Sequence, residues 1–153
     1  MNINELSEKN LHDAVQMYKT SVSAYAKFLP NGESSDEEIA QIFLDYENNG
    51  DFTYLFYDRG APVAMATIEK SKAEIRNLFV NFDLIDEFFA TKYLEFIIKQ
   101  FSAITRVFIW VVSLDTKACE MLEDYGFEYT GEQEYLSKEN NILKFRYLFK
   151  RKK

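Results

Sequence analysis

The 153-residue sequence has little cysteine, histidine, proline or glycine, and each scarcity excludes a class of protein. Its one cysteine, Cys119, cannot form a disulfide within the chain. Together with the one histidine, His12, it is too little for a metal cluster, so no metal site is expected. Two prolines and five glycines beside 47% hydrophobic residues are typical of a folded globular chain and exclude a disordered one.

Long apolar runs and an excess of positive charge are also absent. No run approaches the roughly 18 apolar residues that a membrane span needs, and the first ten residues, "MNINELSEKN", lack the apolar region of a signal peptide. The formal net charge of -7 argues against general binding of nucleic acid. We therefore expect a cytoplasmic protein that binds neither membranes nor nucleic acid, folded as a single domain over residues 1–153.

Hydrophobic periodicity predicts the element order β-α-α-β-β-β-α-β-α-β-β, which indicates an α/β fold with a mixed sheet. The expected elements are a strand at 3–6, a helix through 11–22, a helix after residue 35, strands at 52–57, 61–69 and 73–80, a helix at 86–100, a strand at 106–112, a helix through 118–125, and an antiparallel pair at 127–136 and 142–150.

Local signals place the turns between these elements. The loop "LPNGESSDEE", residues 29–38, precedes the second helix, and Ser34 or Ser35 can cap that helix. Gly50 is expected to stop it, and "DRG", residues 58–60, reads as a tight hairpin turn. The strand "RVFIWVV" is apolar without alternation, which predicts a strand covered on both faces with Trp110 in the core.

The stretch "LEDYGFEYTGE", residues 122–132, places a helix end, a glycine and a strand directly together. Gly126 can adopt the left-handed conformation that ends a helix, and Phe127 then points into the core. With "DTKAC" before it, this stretch resembles the closing motif of the GNAT superfamily of acyl-CoA-dependent N-acyltransferases. That motif is an Asn, an Ala three residues on, a Tyr four beyond it and then Gly-Phe. The matching positions are Asp115, Ala118, Leu122, Gly126 and Phe127.

A second resemblance lies in "AEIRNLFV", residues 73–80, and in the hairpin "YDRGAPVAMATI" before it. The family often carries such a strand before its cofactor-binding turn, in some members with a glutamate at the place of Glu74. The resemblance implies that Glu74 deprotonates the acceptor amine, often through water, and that the backbone around Leu78, Phe79 and Val80 positions the acyl group. The residue-level alternative for Glu74 is a solvated carboxylate or a partner for Arg76.

The family's pyrophosphate signature, Gln or Arg, two residues, Gly, one residue, then Gly or Ala, falls on Ile85, Phe88 and Ala90, and only Ala90 fits. Phe88 places a large side chain where a phosphate should approach the backbone, so it is expected to obstruct a phosphate. The resemblance implies that CoA lies against Phe88, Phe89, Ala90, Thr91, Asp115 and Ala118. Asp83, Asp86 and Glu87 are good helix caps, but they bring negative charge to a helix N-terminus that would otherwise attract a phosphate. Weaker CoA binding than in a typical family member is therefore expected.

The family's general acid is the motif tyrosine, whose place is taken here by Leu122. Tyr125 lies about one helical turn further on and is the candidate to protonate the departing thiolate, with a core aromatic as the alternative. His12 is expected to be a surface residue. Cys119 is expected to be a buried, inert thiol, because nothing near it in sequence lowers its pKa.

Two charged segments complete the pattern. Residues 33–51 contain seven acids and no basic residue, which predicts either an acidic wall that attracts a cationic amine or a solvated helix face. These acids are Glu33, Asp36, Glu37, Glu38, Asp45, Glu47 and Asp51. The C-terminal "KFRYLFKRKK" is strongly basic and predicts either a phosphate or acidic-partner contact or a solubilising tail.

The leading hypothesis is therefore a GNAT-like fold, with a mixed, mostly antiparallel sheet, a splayed parallel central strand pair and helices on both faces. Its predicted activity is transfer of an acyl group, most simply acetyl from acetyl-CoA, to a primary amine of a small molecule that can be cationic, without a metal. A catalytically degenerate binding or regulatory module with this fold is the alternative, and an unrelated α/β domain is a third. A homodimer is left open beside a monomer.

Overall fold

The computed structural model describes residues 1–28 and 34–151. Within them, four α-helices and seven strands follow the predicted order, so the α/β prediction is confirmed. The elements are β1 Asn2–Glu5, α1 Leu11–Val22, α2 Asp36–Asn48, β2 Phe52–Asp58, β3 Ala61–Glu69, β4 Glu74–Val80, α3 Glu87–Lys99, β5 Arg106–Val112, α4 Thr116–Tyr125, β6 Glu128–Ser137 and β7 Ile142–Lys150. The loop predicted at 29–38 lies partly outside the described residues.

The strands form a mixed sheet in the order β1-β2-β3-β4-β5-β7-β6. β4 and β5 pair in parallel, with Glu74 opposite Phe108 and Ile75 opposite Ile109. The pairs β1-β2, β2-β3, β5-β7 and β6-β7 are antiparallel. The predicted mixed, mostly antiparallel sheet with β4 and β5 as parallel neighbours is confirmed.

Contacts between residues divide the chain into two compact units. The first unit comprises Met1–Ile68 and Asn77–Leu84, and the second comprises Glu69–Arg76 and Ile85–Lys153. In the first unit, α1 and α2 pack on β2 and β3 around one apolar core. The α1 residues in it have the predicted helical spacing. The core consists of Ala14, Val15, Ile39, Phe43, Leu55 and Met65, with Leu11 and Tyr18 among the residues packed against it.

The predicted turns of the first unit are confirmed. Ser35 caps α2 by accepting the Glu38 N–H at 3.2 Å, and Glu38 Oε1 accepts the Ser35 N–H at 3.1 Å, so both ends of a capping box are present. Gly50, with φ of 81°, follows the end of the helix. Between β2 and β3, Arg59 and Gly60 both have positive φ, 52° and 80°, which is the backbone of a two-residue hairpin turn.

In the second unit, α3 and α4 bury apolar faces beside β5, β6 and β7. The buried residues of α3 recur at helical spacing, and α4 buries Met121 and Leu122 near its end. Gly126 then takes φ of 119° and Phe127 is 2% exposed, as the sequence predicted. The buried residues of α3 are Phe89, Tyr93, Leu94, Ile97 and Ile98.

The prediction for β5 is wrong in one respect, because its side chains do alternate in burial. Val107, Ile109 and Val111 are buried, whereas Phe108 and Trp110 are only half-buried, so Trp110 is not a core residue. The Arg146 guanidinium carbon lies 4.0 Å from the Phe108 ring centroid, and Lys144 Nζ lies 5.3 Å from that of Trp110. Long cationic side chains of β7 therefore cover this face, and a run of apolar letters does not distinguish such cover from a core.

Candidate active site

The predicted base, Glu74, begins β4 in the second unit and is only 7% exposed. Its Oε2 accepts a hydrogen bond from Nη2 of Arg76 at 3.2 Å. Arg76 lies two residues further along and therefore on the same face of the strand. The Nε of Arg76 also donates to Oε1 of Glu69 at 2.9 Å, and Glu69 is 5% exposed. One guanidinium thus bridges two buried carboxylates, and the predicted partnership of Glu74 with Arg76 is present.

The bridge keeps both carboxylates paired in a place where an unpaired charge would be costly. Lys72 adds a weaker contact, with its Nζ 3.7 Å from Glu69 Oε2 and its side chain 63% exposed. An ionised carboxylate only accepts hydrogen bonds, so Glu74 can take a proton from an amine or from an intervening water. Sequence reasoning missed Glu69, although it and Glu74 flank the short turn 70–73, which brings the ends of the two strands side by side.

The residue after Arg76 lies within β4 but has an irregular backbone. Asn77, in the first unit, has φ of 50°, a left-handed conformation that asparagine tolerates better than most residues. Its Nδ2 donates to Thr67 Oγ1 at 3.0 Å, and that hydroxyl shares a 2.7 Å hydrogen bond with Thr53 Oγ1. Both threonines are buried. A left-handed residue turns the adjoining peptide groups away from the regular ladder direction. Sequence reasoning did not identify Asn77, for which its residue type alone is a weak signal.

The segment predicted to position the acyl group follows Asn77 in β4. Its residues Leu78, Phe79 and Val80 are all half-buried. The Phe79 ring meets that of Tyr18 edge to face, with 5.6 Å between centroids, and packs on the core of the first unit. The Phe79 side chain therefore packs against the core of its unit. A role for this segment toward an acyl group would fall to its backbone, as the resemblance implied.

The N-terminus of α3 carries the predicted CoA-binding residues of the second unit. Asp86 caps the helix by accepting the Phe89 N–H at 2.8 Å. Phe88 is 78% exposed, so its ring is turned outward and away from the helix core. Phe89 is buried and stacks on Tyr93, with centroids 6.0 Å apart. The Thr91 hydroxyl donates to the Glu87 carbonyl at 3.2 Å. The expected steric obstruction by Phe88 stays a prediction, and the acidic cap is in place.

Ala90 follows in the same turn and is half-buried, and its N–H donates to the Asp86 carbonyl at 3.2 Å. The remaining motif residues lie on α4 of the same unit. Asp115 stands at the N-cap position but makes no side-chain capping bond. Ala118 is 8% exposed, and Leu122, which replaces the family's tyrosine, is fully buried. Leu122 therefore supports packing and offers no group for proton transfer.

Tyr125, the candidate acid, lies elsewhere in the second unit. It lines a cavity of about 920 Å³ together with Glu95 and Ile98, at the C-terminal end of α3. Ten residues of helix separate Phe88 from Ile98, which corresponds to about 15 Å along the axis. Burial, assisted by Glu95, raises the pKa of Tyr125, so the hydroxyl stays protonated at neutral pH. The structure thus does not bring Tyr125 together with residues 88–91, and its catalytic role stays a prediction.

Arg151 closes the C-terminal end of α3 beside this cavity. Its Nη1 donates to the carbonyls of Phe101 at 3.2 Å and Ser102 at 2.7 Å, and its Nη2 donates to that of Ile98. A cation at this position also complements the negative end of the helix dipole. Part of the basic C-terminal segment is thus used within the protein, and its last residues, 152–153, lie outside the described part.

His12 has the exposed environment that the sequence predicted, whereas Cys119 is less buried than predicted. His12 is exposed on α1. Cys119 is half-buried on α4, and burial raises the pKa of its thiol. Tyr147 of β7 donates its hydroxyl proton to Glu123 at 3.0 Å. An un-ionised thiol is a poor nucleophile, so nothing here activates Cys119.

The acidic segment of the first unit is partly engaged. Lys19 pairs with Asp36 at 2.8 Å, and Asp45 accepts from Gln41 at 2.8 Å. The hydrogen bond from Lys19 is the main cause that lowers the pKa of Asp36. Glu33 lies outside the described residues. Glu37 and Glu47 are exposed, so negative charge remains at the solvent side of α2.

Among residues 1–28 and 34–151, no cluster of three or more histidine, cysteine or acidic side chains has the geometry of a metal site. No helix in the same ranges is both long and apolar enough to cross a membrane.

Comparison with known proteins shows similarity in fold but not in sequence. No protein-family model and no curated protein matches the sequence. Among solved structures, ribosomal-protein-alanine N-acetyltransferase from Brucella melitensis superposes with a TM-score of 0.77 at 12% identity, over 98% of this chain and 99% of that one. Spermidine N-acetyltransferase from Vibrio cholerae, in complex with CoA and spermine, gives 0.73 at 12% identity, over 97% and 94%.

A third structure carries the family description itself. A GNAT superfamily phosphinothricin acetyltransferase from Sinorhizobium meliloti, in complex with acetyl-CoA, gives a TM-score of 0.73 at 13% identity, over 97% of this chain and 87% of that one. The described chain therefore has the GNAT acetyltransferase fold, as the resemblance implied.

Proposed function

We propose that this chain is an N-acyltransferase that moves an acetyl group, or another acyl group, from acyl-CoA to a primary amine of a small, cationic substrate. The observation that carries the proposal is the fold, shared over 97–98% of the chain with acetyltransferases whose structures include complexes with acetyl-CoA or CoA. The buried, ion-paired Glu74 on β4 supports it chemically, because direct transfer needs a proton acceptor near the amine.

In the proposed reaction, the neutral amine attacks the thioester carbonyl carbon, the carbon–sulfur bond breaks, and CoA leaves as its thiolate. Glu74 accepts the proton that the amine loses, directly or through water. The backbone of Leu78, Phe79 and Val80 is the proposed contact of the acyl group. Tyr125 is the proposed donor to the thiolate, with solvent as the alternative donor, since Tyr125 lies at the far end of α3 from residues 88–91.

The proposed substrate class follows from charge. Glu37 and Glu47 on α2 are exposed, and the whole chain carries a net charge of -7, so a cationic amine is attracted and an anionic one is repelled. The Vibrio cholerae protein, which binds spermine, is consistent with a polyamine as the first compound to test. We keep the cytoplasm as the proposed compartment and a homodimer as an alternative to a monomer.

The test is an acetyl-transfer assay on a panel of polyamines, amino acids and amino sugars, with products identified by mass spectrometry. Glu74→Gln should lower kcat by about tenfold or more while the Kd of acetyl-CoA stays within about twofold. Glu120→Gln, an exposed glutamate on α4, is the matched control and should leave both unchanged. Equal kcat for wild type and Glu74→Gln across about pH 6 to 9 would remove Glu74 from the mechanism.

The second candidate, a degenerate binding module, is favoured by the acidic cap of α3. The Asp86 carboxylate occupies the Phe89 N–H, a donor that a pyrophosphate could otherwise use. A wild-type protein that binds acetyl-CoA but acetylates no amine on the panel would support this module against the enzyme.

A further inference from the structure

The bridge Glu69–Arg76–Glu74 is more elaborate than a single base requires. Glu74 alone needs one counter-charge, yet the guanidinium that supplies it is also held through its Nε by Glu69. The side chains of Glu69 and Glu74 are 6% and 10% exposed, whereas that of Arg76 is 36% exposed. Two buried carboxylates therefore bind one partly exposed guanidinium at two of its nitrogens.

We propose that Arg76 is a positioning residue for Glu74 and that Glu69 anchors Arg76, so that the Glu74 carboxylate points in one fixed direction. The inference rests on the proposed function, because it assigns a direction to the proton acceptor of that reaction. A guanidinium is planar and presents its Nε and Nη2 donors in a rigid fork. With Nε fixed on Glu69 at 2.9 Å, the plane cannot rotate freely, and Nη2 then determines where Oε2 of Glu74 lies.

Lysine cannot replace this arrangement, although it would keep the charge. An ammonium group is a compact point charge on a flexible stem and lacks two donors in fixed relative positions. Lys72 shows the contrast within the same cluster, because its Nζ contacts Glu69 from the solvent side at 3.7 Å. Among the described residues, Lys72 forms no ion pair with Glu74. Its removal should leave the bridge intact.

A double-mutant cycle tests the inference in the acetyl-transfer assay. Arg76→Gln in the wild-type background should lower kcat by about tenfold and leave the KM for acetyl-CoA within about twofold. The same substitution in a Glu74→Gln background should change kcat by less than about twofold, because Arg76 acts through Glu74. Equal fold losses in the two backgrounds would show an independent, merely structural role and would overturn the inference.

Three further variants keep the test usable if Arg76→Gln does not fold. Arg76→Lys and Glu69→Gln should each lower kcat at unchanged KM for acetyl-CoA, and each loss should again vanish in the Glu74→Gln background. Lys72→Gln is the control and should match wild type. Arg76→Lys with wild-type kcat would show that charge alone suffices and would refute positioning by the fork.

Failure of the proposed function has a different signature. The wild-type protein would then acetylate no amine, and Glu74→Gln would equal it, which would overturn the function and this inference together. An active enzyme with equal losses in both backgrounds overturns the inference alone.

Discussion

The first turn of α3 offers a quantitative test of how strongly its acids oppose CoA binding. Asp86 caps the helix and Glu87 follows it, so both place negative charge where a pyrophosphate is proposed to bind. The informative change is the pair Asp86→Ser with Glu87→Gln. Serine is also a good N-cap and can accept the Phe89 N–H, so the pair removes two charges while keeping the cap.

The expected gain follows from the helix dipole. A charge at a helix N-terminus contributes about 0.3–1 kcal/mol at low ionic strength, so two charges contribute about 0.6–2 kcal/mol. In the Kd of acetyl-CoA this corresponds to binding about 3-fold to 30-fold tighter. The gain should shrink at high salt, since the Debye length falls from about 30 Å at 0.01 M to about 3 Å at 1 M ionic strength.

Isothermal titration calorimetry, with acetyl-CoA titrated into the wild type and into the double variant at low and high salt, measures this gain in affinity. Glu120→Gln is the matched control, because it removes an exposed negative charge from α4 and leaves the first turn of α3 unchanged, so the Kd should not change. Asp86→Ala separates charge from capping. It should also bind more tightly, but it should lose about 1 kcal/mol of unfolding free energy that Asp86→Ser retains. An unchanged Kd for the double variant at low salt would refute the electrostatic reasoning.

Three other results are expected, all measured by chemical denaturation. Arg151→Ala should lower the unfolding free energy by about 1–3 kcal/mol, because three carbonyls at the end of α3 lose a charged donor, whereas the exposed neighbour changed in Lys150→Ala should cost little. Thr67→Val should cost about 2–4 kcal/mol, since Asn77 would lose its acceptor inside the protein, and a cost below about 0.5 kcal/mol would contradict the buried network. Burial and a hydrogen bond to Asp13 raise the pKa of Tyr57. The contribution of Tyr57 to the unfolding free energy is therefore complete below about pH 10 and is lost as pH rises toward the folded-state pKa. Tyr57→Phe should flatten that alkaline decline in the unfolding free energy.

The sequence predicted those parts of the fold that depend on local signals. Ser35 and Glu38 form a capping box from side chains three residues apart. Gly126 ends α4 because glycine itself can adopt the left-handed conformation that a helix end needs. Element order and the parallel pairing of β4 with β5 also followed, since hydrophobic periods and the family resemblance agreed.

What the sequence could not predict depends on contacts between distant residues or on the direction of a side chain. Glu69 joins the bridge only because Arg76 reaches across the hairpin to it. Trp110 was predicted to be a core residue, but Lys144 and Arg146 of β7 cover its ring. The outward direction of the Phe88 ring, which is 78% exposed, was not predicted either. The neighbouring residues in the sequence do not indicate any of these three outcomes.

The division of β4 has a consequence for how the protein opens. Glu74, Ile75 and Arg76 belong to the second compact unit, and the strand continues from Asn77 in the first. Protein backbones exchange amide hydrogens through cooperative local openings that follow such units. A single strand should therefore report two separate opening events, with the amides before Asn77 exchanging at the rate of one unit and those after it at the rate of the other. One peptide spanning β4 would then take up deuterium in two phases.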